Sequence, residues 1–514
     1  MATAFISALN VASAQAVDWL MFGNGPRHDG YAGAEVLLTP QNAPTLVRKW
    51  GYSVVPYKRA HGLPTDQNAR RIYAQPVLAG HVNVGGANKT LMYFGDGGGT
   101  FHAIDANSKA NAGTLVWARQ IKPLEVSCAN LSNGIISTAA IDRSANNGRG
   151  AVYVAANARV YAWDLATGAP AVNWPEDGVL LPNLKPETEG TVFSGVTLYN
   201  GSVYVATSSA GCDKPPYHGS INILDGATGA VKTQWFTGGG TSTVPTVNGG
   251  AIWGPGGVSI DTNPDSPALF TATGNPVPTG AVNTIDYYLS IIGTRPDLSS
   301  VDWSYKPTNL NGDLDFGSTP VPINAAACPR QLVPVTRKNG TLYVPEVSQT
   351  TPRSLYKVSQ YAMSTTVELS FGAVAFDPIS QLMLLTTFSD GPAPYTRGLV
   401  AMKVADDCSL SLAWTNNAAP GGTDIAAPGT RLTSVTVANG LAFFGVGFQA
   451  SAIAPTPGIY AVALQSAGGV GAGQTVWRAA DITATVLNAP IVANGRVFTS
   501  TNAGFVYAYA IPGH

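Results

Sequence analysis

The sequence predicts an all-β fold, an eight-bladed β-propeller whose ring is closed by its N- and C-terminal strands. Three observations predict it: a repeat that ends in tryptophan, a turn-rich apolar composition, and one strand near the N-terminus that has no neighbours of its own.

The repeat is plainest in two segments. "ARVYAWDLATGAPAVNW" ends at Trp174 and "GSINILDGATGAVKTQW" ends at Trp235. In each, an alternating strand runs to an Asp, a Thr-Gly turn follows, and a Trp closes the unit. Looser copies end at Trp117, Trp303, Trp414 and Trp477. They recur about every 60 residues, except that Trp303 to Trp414 spans nearly twice that interval. A blade without its Trp is therefore expected inside the long interval, built from "STPVPI", "QLVPVTRKNGTLYVPEV" and "SLYKVSQYAM". The repeated tryptophans read as packing residues that dock neighbouring blades, burying large rings and leaving an indole N–H for the backbone.

Composition agrees. The 514 residues are 45% hydrophobic, with 57 Gly and 36 Pro in no collagen-like period. That combination describes many short strands joined by tight turns. The last strand-like segment, "GFVYAYA", has no Trp after it, whereas "LVRKWGYSV" carries Trp50 without a preceding strand set. Residues 46–54 are thus expected to complete the last blade, and such closure removes exposed edge strands.

Charge excludes one class of partner. Lys+Arg (29) nearly cancels Asp+Glu (30), and only 11% of residues are charged, so nucleic acid finds no basic footprint. No apolar run is long enough to span a membrane as a helix. "ATAFISALNVASAQA" has the apolar character of a secretory signal, with a small-residue cleavage pattern at Ala14-Gln15-Ala16. Residues 1–16 are accordingly expected to be a signal peptide and 17–514 a single propeller domain, periplasmic or secreted.

The four cysteines form no C-x-x-C, which excludes the usual ligand patterns for structural zinc and covalent c-type haem. The six His residues show no paired metal spacing. An even cysteine count in an exported chain points to disulfides, and four cysteines allow three pairings. The expected pairs are Cys128–Cys212 and Cys328–Cys408.

Repeats of the form A-x-D-x-x-T-G-x…W, with the opening "DWLMFGNGPRHDGYAG", resemble the pyrroloquinoline quinone (PQQ)-dependent, or quinoprotein, alcohol dehydrogenases over residues 18–510. The resemblance implies their propeller. It does not by itself imply catalysis, because a related propeller serves as a non-enzymatic scaffold in outer-membrane protein assembly. A protein- or glycan-binding scaffold is therefore the alternative reading.

Carried over residue by residue, the resemblance implies a site. Trp253, in "GGAIWGPGG", matches the Trp that stacks on the quinone; its ordinary reading is a core Trp plugging the channel. Asn275, in "FTATGNPVP", matches a metal ligand; otherwise it is an Asn-Pro turn residue. Asp315, in "NGDLDFG", matches the catalytic base and a metal ligand, with Asp313 nearby and a spacing one residue shorter than the family's. The ordinary alternative is a pair of solvated loop carboxylates. Gly317 stands where lanthanide-type enzymes carry a further acid. Lys338, in "VTRKNGTLYV", matches the basic residue that contacts the quinone oxygens, and its Asn-Gly is also a strong hairpin-turn signal.

Two elements depart from the pattern. Cys128 stands alone where the family has adjacent cysteines beneath the cofactor. The stretch "ATSSAGCDKPPYHGS" lacks the family's metal-binding Glu, and Asp213 is its acid; Ca²⁺ accepts carboxylates and amide oxygens in flexible geometry. The chemistry implied is PQQ- and Ca²⁺-dependent oxidation of a small-molecule or polymeric alcohol. Electrons would pass to a separate acceptor such as a cytochrome, since no C-x-x-C-H is present.

Overall fold

The computed structural model describes residues 18–54, 70–107, 111–126, 131–182, 184, 191–209, 213, 215–241, 245–277, 287–309, 312–364, 372–449 and 457–514. The expected signal peptide, Cys128 and Cys212 lie outside them.

Eight antiparallel sheets stand in a ring. Blade 1 consists of Val77–Val84, Ala87–Gly95, Thr100–Asp105 and Leu115–Gln120. Blade 4 consists of Ser259–Asp261, Ala268–Ala272, Ile291–Thr294 and Val301–Tyr305. Blade 5 fills the long Trp-less interval. Its first strand shrinks to a bridge between Ile323 and Leu332, followed by Gln331–Leu332 with Val335–Thr336, then Thr341–Val347 and Leu355–Ala362. In blade 8, Ile491–Ala493, Arg496–Ser500 and Phe505–Ala510 are completed by Val47–Ser53, with Trp50 opposite Ala508. The ring closes as the sequence predicts.

The repeat has a physical account. Asp164 Oδ1 accepts bonds from the Ala166 and Thr167 amides and from the Thr167 hydroxyl, which shapes the turn; Asp225 does the same with Ala227 and Thr228. The turn's glycine is left-handed (φ 68° at Gly168, 75° at Gly229). A Cβ on Gly168 would lie 2.5 Å from the Trp117 ring of the preceding blade. The Trp117 indole then donates to Leu165 O (2.9 Å) and Trp174 to Gly226 O (3.0 Å), stitching each of these blades to the next. In blade 5, Tyr361 substitutes: its hydroxyl accepts the Leu410 amide of blade 6 (Ala375–Asp377, Leu382–Thr387, Gly398–Val404 and Leu410–Asn416) at 2.9 Å. Cys328 and Cys408 join the same two blades as a disulfide.

The segment from Trp19 to Glu35 lies in the channel along the inner strands. Trp19 bridges Leu78, while Leu20, Pro26 and Asp29 offer carbonyls to the amides of Ile141, Ile260 and Phe376. His28 contacts Thr197 Oγ1 (3.0 Å), Phe22 shares a core with Val321 and Ile323, and Ala32 donates to Val437 O. Glu35 accepts the Gly495 amide. All eight blades are thus touched by one segment, and the gap among Phe22, His28, Gln75 and Val435 is too small for water.

Candidate active site

In an antiparallel blade, the second-to-third-strand loop and the blade-to-blade connection emerge at the same end of the ring. Trp253 and Asp315 lie on successive blade connections, and Asn275 and Lys338 on the second-to-third-strand loops of blades 4 and 5. Topology alone brings all four to one end.

Local pairing then fixes them. Asn248–Gly249 forms a short ladder with Pro276–Val277, and the Gly250 amide donates to Asn275 O at 2.8 Å, which holds the Trp253 loop against the Asn275 turn. A Cβ on Gly274 would sit 2.9 Å from Asp315 Oδ1, so only glycine admits the carboxylate this closely. Asp315 Oδ1 accepts the Asn275 amide (2.6 Å), and Oδ2 accepts Lys338 Nζ (2.9 Å). Lys338 Nζ also reaches Asp313 Oδ1 (2.5 Å) and stands 5.1 Å from the centre of the Trp253 ring, in cation–π range. Asp315, Asn275 and Lys338 are buried, while Asp313 is exposed.

Burial pushes the Asp315 carboxyl above the usual carboxylate range, and the Lys338 ammonium offsets only part of that shift. For Lys338, burial acts against the charge but the Asp315 and Asp313 carboxylates prevail, so its ammonium is held above its ordinary value. Among the described residues, Asn275 Oδ1 is buried without a hydrogen-bond partner. A buried, unsatisfied acceptor is expensive and rare in packed proteins.

Asp213 is linked to this cluster through Tyr217 rather than by a direct bond. Its Oδ1 accepts the Tyr217 hydroxyl at 2.9 Å, and no hydrogen bond or ion pair joins it to Asn275 or Asp315. Two further residues escaped the sequence reading. Tyr217 is buried, and its phenol is pushed well up by burial, then by Asp213 and by the charge of Asp315. Arg337 is fully buried beside Lys338; its Nε donates to Leu314 O at 2.6 Å and its guanidinium lies 5.6 Å from the Phe316 ring centre. The signal for Arg337 was present as two consecutive cations, which a near-strand backbone sends to opposite sides.

Asn275 Oδ1 and the Asp315 carboxylate are hard oxygen donors of the kind Ca²⁺ takes. No group of three His, Cys, Asp or Glu converges among the described residues, so the remaining ligands would have to come with a cofactor. An ammonium beside an open aromatic ring suits a flat, anionic molecule. The residues fit PQQ carrying part of the metal's shell.

Fold and closure define a class of architecture: an eight-bladed propeller closed by its terminal strands. Among solved structures the chain is similar to the quinohemoprotein alcohol dehydrogenase from Comamonas testosteroni, with a TM-score of 0.65 and 16% identity over 98% of this chain and 82% of that one. A europium-containing methanol dehydrogenase matches with a TM-score of 0.66 and 14% identity over 96% and 98%. BamB from Moraxella catarrhalis matches with a TM-score of 0.51 and 14% identity over 91% and 98%. No family model and no curated protein matches the sequence. At these identities the likeness is one of fold, and the chemistry rests on the residues themselves.

Proposed function

We propose that this protein is a PQQ- and Ca²⁺-dependent alcohol dehydrogenase that passes electrons to an external acceptor. The observation that carries the reading is the buried meeting of Asp315, Lys338 and Asn275 beside Trp253, with Asn275 Oδ1 left without a partner.

PQQ, when bound, supplies the hydride acceptor. Asp315 takes the alcohol proton on its carboxylate; burial strengthens it as a base, and the Lys338 ammonium favours its ionised form against that burial. Trp253 offers a flat face for orientation, and the Lys338 ammonium stabilises negative charge on oxygens brought near it. Asn275 and Asp315 would hold Ca²⁺, and Asp213 would join them through the carboxylate oxygen that Tyr217 does not bond. An external acceptor is consistent with the missing haem-attachment motif. The Cys328–Cys408 disulfide supports an oxidising compartment, periplasmic or extracellular. Among the described residues no helix is long and apolar enough to cross a membrane.

The test is reconstitution. Purified protein given PQQ and Ca²⁺ is expected to retain quinone absorbance after desalting and to reduce a dye with alcohol as donor. The Asn275→Ala variant should lose that retention. No retention by the unmodified protein would favour the scaffold reading, which the missing Cys pair and the BamB likeness support.

A further inference from the structure

We infer that Arg337 is a positioning residue of this site, retained at a cost to stability because its grip on the Leu314 carbonyl aims Asp315 at Asn275 and Lys338. The inference rests on the dehydrogenase reading for its functional consequence, but not for the grip itself.

Burying a guanidinium is unfavourable unless a counter-charge and hydrogen bonds replace its water. Arg353 shows what replacement looks like in this protein: it is equally buried, and its NH2 reaches Asp261 Oδ2 at 2.6 Å. Arg337 has no carboxylate partner among the described residues, and its end nitrogens form no well-shaped hydrogen bond, with Tyr343 as its polar neighbour. Its neighbours include the Phe316 ring, Tyr343 and Tyr305, with the Asp315 charge acting on it from beyond bonding distance. Packing there asks for volume, not charge; a methionine would fill it.

What methionine cannot do is donate to Leu314 O. That carbonyl lies between Asp313 and Asp315, the two residues whose carboxylates bond Lys338. Arg337 and Lys338 therefore hold one short arm from opposite sides, the first by its backbone and the second by its side chains. The Lys338 amide adds a bond to Asp315 O at 3.0 Å. Release of the backbone grip lets the arm turn, and Asp315 leaves the Asn275 amide.

The experiment is Arg337→Met, with the unmodified protein alongside. The variant is expected to fold and to melt at the same temperature or higher, because an apolar side chain replaces an unpaired buried charge. Amides of residues 312–317 should exchange with solvent at least about tenfold faster, while other blades stay protected. After reconstitution, kcat should fall about 10²-fold with KM for the alcohol unchanged, the signature of a misplaced base rather than lost binding. Unchanged exchange at 312–317, a lower melting temperature with general loss of protection, or failure to fold would each overturn the proposal. If the unmodified protein neither retains PQQ nor oxidises alcohols, the dehydrogenase reading fails, and exchange at 312–317 still decides the grip.

Discussion

Two buried carboxylates a blade apart, Asp261 and Asp315, are built from the same residue types to opposite ends. Asp261 Oδ2 takes Arg353 and Gln331, while Oδ1 takes Arg27, so both oxygens are occupied by strong donors. Burial works to raise its carboxyl, yet Arg27, Gln331 and Arg353 together hold it below the ordinary range. Asp315 has one ammonium and one amide, and burial prevails. The first cluster ties the N-terminal segment to blades 4 and 5. The second leaves an acceptor at Asn275 unsatisfied and the Arg337 guanidinium without an ion pair, with the Asp315 charge acting on it only at longer range. Incomplete pairing, rather than burial or charge, separates the site from the scaffold.

The comparison breaks first on Asp315→Asn. The amide keeps the shape and removes the proton acceptor, so cofactor retention should persist while dye-linked turnover falls by about 10²–10⁴-fold. Turnover at the unmodified rate would place Asp315 with Asp261 as a structural group.

Asp261→Asn is the converse. It leaves two guanidiniums facing a neutral amide, and a loss of about 3–5 kcal/mol in unfolding free energy is expected. Rate per folded molecule should not change; a rate loss without destabilisation would erase the distinction. Cys328→Ser with Cys408→Ser calibrates that result from outside both clusters, with an expected loss of about 2–4 kcal/mol and again no change in rate per folded molecule.

The smallest effect is a difference in slope with pH. Asp261 has a lowered folded-state pKa, so its contribution is present above the unfolded value near 3.8 and is lost as pH falls through the folded one. Asp315 has a raised one, so its contribution is full below the unfolded value and is lost as pH rises through the folded value. Denaturation midpoints measured across the acid range should therefore change in opposite senses for Asp261→Asn and Asp315→Asn. Parallel changes would show that the two environments do not differ as described.

Much of this was legible in the sequence because the propeller is written locally. Asp164, Gly168 and Trp174 act within one repeat or across one seam, and repetition reveals them. Trp50 was readable as a strand without neighbours, and Asp315, Asn275, Lys338 and Trp253 through a family pattern. The partners of Arg337 and Asp213 were not legible. Arg337 looks like part of a basic turn, and only the meeting of blades 4 and 5 shows it buried without an ion pair among the described residues. Asp213 matches a metal ligand only as the acid in its stretch, and the Tyr217 hydroxyl that bonds its Oδ1 has no sequence signature. The course of Trp19–Glu35 through the channel was hidden for a related reason. It meets each blade through a different contact, backbone in some and side chain in others, and shows no period of its own.

The pairing of Val47–Ser53 with Phe505–Ala510 also sets an order of assembly. On a chain made from its N-terminus, blades 1 to 7 are each complete once their own four strands have appeared. The strand that finishes blade 8 is made before any of them and must wait for the last. Until then the polypeptide carries an orphan strand at one end and an unfilled slot at the other. Two crowded chains in that state satisfy both by exchange, each lending Val47–Ser53 to the other's blade 8. Slow, dilute refolding therefore favours the closed monomer, and concentrated refolding favours strand-swapped dimers.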